Sequence, residues 1–169
     1  MRHPFVLALT ASLIALLAIA GVVLATPISG VTTTTFAVGR FDNIDAKTLT
    51  DIDPTANVDY WQARINTKGS TDVYMLENRI APGGTFGWHA HPGPSIVLVK
   101  AGTLTLYRGT DPTCTPQVVE AGSGFVDDGG DIHMVRNEGS VDTVVYVVSL
   151  VPAGFPRRID EPAPSSCPY

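Results

Sequence analysis

Along this chain of 169 residues the pattern of apolar and polar positions changes character twice. Residues 5–25 are apolar throughout, apart from Thr10 and Ser12. Residues 26–58 are Thr-rich and then Asp-rich, and only 32–41 has the β-branched content that suits an edge strand. The Asp/Asn/Thr stretch 42–57 reads as irregular surface chain. From Tyr60 onward, short runs of Val, Ile, Leu and Tyr alternate with Gly/Pro/Asp clusters. They predict strands near 60–67, 71–80, 86–90, 95–100, 103–108, 117–120, 124–126, 132–136 and 142–151. Lys100, Ala101 and Gly102 read as the turn between two of these. Beyond the leading run no segment shows a helical period with caps. Closely spaced short strands separated by turns predict an all-β sandwich or barrel. The Pro-rich stretch 152–169 predicts a tail lying extended over the surface.

The leading run has the form of a secretory signal, with Val23 and Ala25 as small residues before Thr26. It also approaches the ~20 residues that cross a bilayer as a helix, so an uncleaved membrane anchor is the alternative. Both readings put the remaining chain outside the cytoplasm, secreted or tethered by residues 5–25. In an oxidising compartment the two cysteines, Cys114 and Cys167, read as one disulfide that pins the tail to the barrel. Closing a loop of about 54 residues restricts the unfolded chain by roughly 4 kcal/mol in the chain-entropy account. Free thiols or metal ligands are the rival reading. The organisation expected is a leader over 1–25, an arm with edge strand over 26–69, a barrel over 70–152 and the stapled tail over 153–169. Net charge is -5 and no Lys/Arg cluster occurs, which argues against a nucleic-acid partner and against an anionic membrane surface. Contact with a membrane is expected only through the leader.

Of four histidines, His3 lies in the leader. His89 and His91 are separated by one residue, so on a strand both imidazoles point to one face. His133 falls on a later predicted strand between Gly-rich turns. Three imidazoles from two strands, converging inside a barrel, make a metal site with positions left for water or substrate. The bland alternative is a set of buried histidines bonded to backbone.

The spacing of these residues resembles the cupin superfamily, in the manner of single-domain, type-2-like exported bacterial members. That family's first motif runs Gly, five residues, His-x-His, three or four residues, Glu, six residues, Gly; here Gly83, His89, His91 and Gly102 keep the spacing. The second runs Gly, five residues, Pro-x-Gly, two residues, His, three residues, Asn; Gly122, Gly130, His133 and Asn137 keep it, with Asp128 in place of Pro. The resemblance implies a double-stranded β-helix, or jelly-roll barrel, holding one divalent metal (Fe, Mn, Zn or Ni). Ser95 stands where the family has Glu, which is usually a metal ligand, so this position is vacant. Three neutral imidazoles leave the charge of the ion uncompensated, and such a centre prefers an anionic additional ligand. Ser95→Glu is expected to tighten metal binding.

Other residues carry weaker signals. Glu77 and Asn78 precede the first motif on a strand that commonly lines the cavity in the family; alternation lets only one face inward without deciding which, and Glu77, if it is the one, could replace the missing carboxylate. Trp88, Tyr74 and Tyr107 read as packing aromatics, and Arg136 as a residue turned away from the cavity. Asp127, Asp128 and Asp131 read as turn chemistry, since no calcium-loop pattern surrounds them. The functional expectation is an exported domain that binds a metal and a small anionic ligand without turnover. The alternatives are a dioxygenase-like three-His enzyme acting on a small anionic substrate, and a metal-free structural barrel. The resemblance also makes a homodimer plausible.

Overall fold

The computed structural model describes residues 25–50 and 61–167, and these hold strands and turns with no helix. The strands are β1 (Ser29–Phe41), β2 (Asp45–Thr50), β3 (Trp61–Asn66), β4 (Thr71–Thr85), β5 (His89–Ala90), β6 (Ser95–Ala101), β7 (Thr103–Arg108), β8 (Gln117–Glu120), β9 (Gly124–Asp127), β10 (His133–Arg136), β11 (Thr143–Pro152) and β12 (Ile159–Asp160). The main sheet runs β12-β5-β10-β4-β11-β6-β9, with β1 on β4 and β7 joining β10 to β8. It curls into a double-stranded β-helix, the jelly-roll barrel that the resemblance implied and one of the two all-β forms the strand pattern allowed.

Period-two alternation decides what each strand buries. On β6, Ser95, Val97 and Val99 point inward while Ile96, Leu98 and Lys100 point out. Leu76, Ile80, Val97, Val99, Leu104, Leu106, Val145 and Val147 then meet as one core between the two halves of the barrel. At the β6–β7 turn Gly102 has φ 71°, a left-handed conformation, and a Cβ there would crowd the backbone of Asp142 and Thr143. Asn137 of the second motif has a structural task. Its Nδ2 donates to the Ile80 and Val141 carbonyls at 2.8 and 2.7 Å, and its Oδ1 accepts from the Gly139 N–H at 2.9 Å.

The sequence reading needs two corrections outside the barrel. The stretch 42–57 is not irregular throughout: β2 pairs antiparallel with β3 as a separate two-stranded sheet. Its described side chains are largely exposed, so no apolar alternation marked it in the sequence. The tail does more than lie on the surface. Strand β12 pairs with β5, Ile159 opposite Ala90 and Asp160 opposite His89, and the Glu161 N–H donates to the Trp88 carbonyl at 3.1 Å. Beyond it a disulfide joins Cys114 to Cys167, with Cα atoms 5.2 Å apart. Cys167 packs in a second small core with Trp88, Tyr107 and Met134, which accounts for Trp88 as packing. The leader lies outside the described residues apart from Ala25, and no helix among the described residues is long and apolar enough to cross a membrane.

Candidate metal centre

Backbone pairing brings the three histidines together. His89 opens β5 and stands opposite His133, which opens β10. His91 is one residue past the end of β5, on the same side of the chain as His89. The ring centroids are 4.4 Å apart for His89 and His133, 4.9 Å for His89 and His91, and 5.3 Å for His91 and His133. One ligating nitrogen from each ring lies within 4.8 Å of the others, and all three side chains are buried.

The second nitrogen of every ring is already engaged. His89 Nδ1 lies 2.9 Å from the Gly87 carbonyl, His91 Nδ1 2.6 Å from the Arg157 carbonyl, and His133 Nδ1 2.9 Å from the Asp131 carbonyl. A carbonyl oxygen only accepts, so each Nδ1 carries the proton. That assigns the tautomer: every neutral ring keeps its lone pair on Nε2. Backbone bonds of this kind orient histidine ligands in metal sites. Burial keeps His89 neutral by holding it down to about 2, with the neighbouring His133 and Arg158 adding to the effect, and burial likewise lowers His91. The donor set therefore suits a borderline divalent ion.

The rings face a cavity of about 110 Å³, whose other walls include Asn78, Ser95, Val97, Phe125, Asp127 and Arg158. Ser95 is buried, and its hydroxyl is bonded to that of Ser149 at 2.8 Å. Asn78 faces inward and its Oδ1 accepts from the Thr33 hydroxyl at 2.6 Å. Glu77 is therefore on the opposite face of β4, across from Tyr146, and is not a substitute ligand. Arg136 is outside the cavity wall, 3.9 Å from Glu138.

Two charged residues at the site escaped the sequence reading. Asp127 is 4% exposed; its Oδ1 accepts from the Gly129 N–H at 3.1 Å, and its Oδ2 is 3.5 Å from His91 Nε2 and 3.9 Å from His133 Nε2. Its strand runs one residue further than predicted, and the signal that would have found it is alternation with Phe125, which shares its face. Arg158 comes from the tail. Its Nε donates to Asp160, while Nη1 and Nη2 are buried with no hydrogen-bond partner among the described residues.

No curated protein matches the chain. Among solved structures it is similar to oxalate oxidase in complex with the substrate analogue glycolate, at 30% identity over 46% of this chain and 41% of that one, TM-score 0.41. It is also similar to the polyketide cyclase RemF from Streptomyces resistomycificus, at 18% identity over 52% of this chain and 59% of that one, TM-score 0.45. A third is a conserved protein with a double-stranded β-helix domain from Klebsiella pneumoniae, at 19% identity over 53% of this chain and 75% of that one, TM-score 0.43. The chain thus spans less than half the length of the oxalate oxidase it matches. The cupin domain family matches residues 77–149, and this segment of the barrel carries all three clustered histidines.

Proposed function

We propose that the barrel binds one divalent metal through His89, His91 and His133 and holds a small anionic ligand beside it without turning it over. One observation carries the reading: all three Nδ1 atoms are spent on backbone carbonyls, so three Nε2 lone pairs face one buried cavity. A metal bound there supplies a Lewis-acidic charge that attracts an anion. Arg158 supports the anionic class of ligand. Burying guanidinium N–H groups without acceptors is costly, and a carboxylate in the cavity relieves that cost with charge-assisted bonds.

The test is elemental analysis of tag-free protein followed by calorimetric titration with glycolate. One equivalent of metal per chain with saturable glycolate binding and no oxygen uptake is the expected result. Oxygen consumption by an iron- or manganese-loaded protein would favour the dioxygenase-like enzyme instead, and metal-free protein would favour a structural barrel.

The reading includes export. Residues 1–25 serve as signal or anchor, 26–69 as an arm, 70–152 as the barrel and 153–169 as the stapled tail; the disulfide supports an oxidising compartment. It also includes a homodimer through the outer sheet face, where Ile96 and Leu98 on β6 and Val126 on the adjacent β9 are exposed; sedimentation at micromolar concentration checks it.

A further inference from the structure

The Glu position of the first motif is empty of carboxylate, yet the cavity contains one. Strand β6 lies between β11 and β9, and Ser95 has Ser149 opposite it on one side and Asp127 on the other. Residues directly opposite on antiparallel strands share a face, with Cβ atoms about 4.5–5.5 Å apart. Asp127 therefore presents its side chain to the same interior as Ser95, from one strand over. Ser95 is turned to Ser149 by their 2.8 Å hydroxyl bond.

The surroundings of Asp127 are those of an anion awaiting a cation. Oδ1 is held by the Gly129 N–H, which aims Oδ2 into the cavity, and Oδ2 is buried with no hydrogen-bond partner among the described residues. Two imidazole nitrogens face Oδ2. His91 Nε2 lies at 3.5 Å and His133 Nε2 at 3.9 Å, and in the neutral tautomer set by the Nδ1 bonds each presents a lone pair. Lone pairs facing one another in a low-dielectric cavity repel unless a positive charge lies between them. Two donors each about 2.1 Å from a tetrahedral ion sit ~3.4 Å apart, close to the Asp127–His91 separation. Arg158 does not satisfy this carboxylate: both line the cavity, but among the described residues they form no ion pair with each other.

We infer that Asp127 is a fourth protein ligand to the metal, a carboxylate supplied from β9 in place of the one that β6 lacks at Ser95. This rests on the three-histidine metal reading. It changes the electrostatics of the centre, since one carboxylate reduces the net charge of a divalent site from two to one, leaving a centre suited to a single monoanion.

The test is Co2+ binding to the full oxidised chain, followed by chelator competition and by the visible absorption spectrum of the bound ion. Asp127→Asn preserves the size of the side chain and an Oδ1 acceptor for the Gly129 N–H. It is expected to weaken Co2+ at least about 10–100-fold, as even outer partners of metal ligands do, and to change the spectrum. Ser95→Glu combined with Asp127→Asn is expected to recover most of the lost affinity by returning the carboxylate to β6. Unchanged affinity and spectrum in Asp127→Asn, with wild type binding one Co2+, would overturn this inference and leave the three-histidine reading standing. Loss without recovery in the double variant would make Asp127 merely structural. Failure of wild type to bind Co2+ overturns both.

Discussion

The cavity has two walls of opposite character. On one, His89, His91 and His133 have every Nδ1 bonded to a backbone carbonyl, and the strands that carry them pair His89 directly with His133. On the other, Asp127 Oδ2 and the Arg158 Nη atoms are buried without partners among the described residues. A native fold leaves few buried polar atoms unsatisfied, so an orphan marks a place where something from outside the chain is expected. The satisfied wall shows what has been positioned, and the unsatisfied wall is where the proposed ligands would bind.

The largest effect should come from the satisfied wall. His89→Ala or His133→Ala removes a donor that the backbone has already oriented, and metal affinity is expected to fall by more than about 100-fold, the upper end of what outer-shell changes cost. Elemental analysis after dialysis checks it; retention of stoichiometric metal would end the three-histidine assignment. Next is the staple that holds the Arg158 side in place. Cys114→Ser with Cys167→Ser is expected to cost about 2–4 kcal/mol in denaturant unfolding, and to impair glycolate binding more than metal binding, because the tail touches the histidine wall chiefly through the Arg157 carbonyl on His91 and β12 on β5.

Arg158→Met separates the walls most cleanly. Charge-assisted bonds contribute about 1.5–3 kcal/mol, so glycolate affinity should fall roughly 10–100-fold while metal content stays at wild-type level. Equal loss of both would mean that the walls are not distinct. The smallest effect is in pH. His89 is held down to about 2 in the fold, whereas the unfolded chain protonates it near 6.5. Between these values the unfolded state binds more protons, so the stability of the metal-free protein declines as pH falls below about 6.5, by at most about 1.4 kcal/mol per pH unit for one such ring. Denaturant midpoints at pH 7.5, 6 and 5 measure it, and a flat profile would show that the rings are less desolvated than their burial implies.

The histidine wall was legible in the sequence because its information is local. Alternation put His89 and His91 on one face, turn-bounded apolar runs located β6 to β11 within a residue or two, and the second motif located His133. The opposite wall was not legible because its information is pairwise. Alternation with Phe125 gives the face of Asp127, but its place beside the histidines follows only once β9 is set beside β6 with Ser95 opposite, a register no local pattern specifies. Within its own stretch it reads as one of three turn aspartates. Arg158 was hidden for a different reason. The tail is Pro-rich and aperiodic, and β12 spans only Ile159–Asp160, too short for any hydrophobic period to register.

The pairing of β12 with β5 also has a consequence in time. Until Cys114 and Cys167 are joined, only a two-residue ladder and a few single bonds secure the tail near the histidines. Oxidation of the thiols is then expected to be the late step that settles both the His91 ring, held by the Arg157 carbonyl, and Arg158 at the cavity.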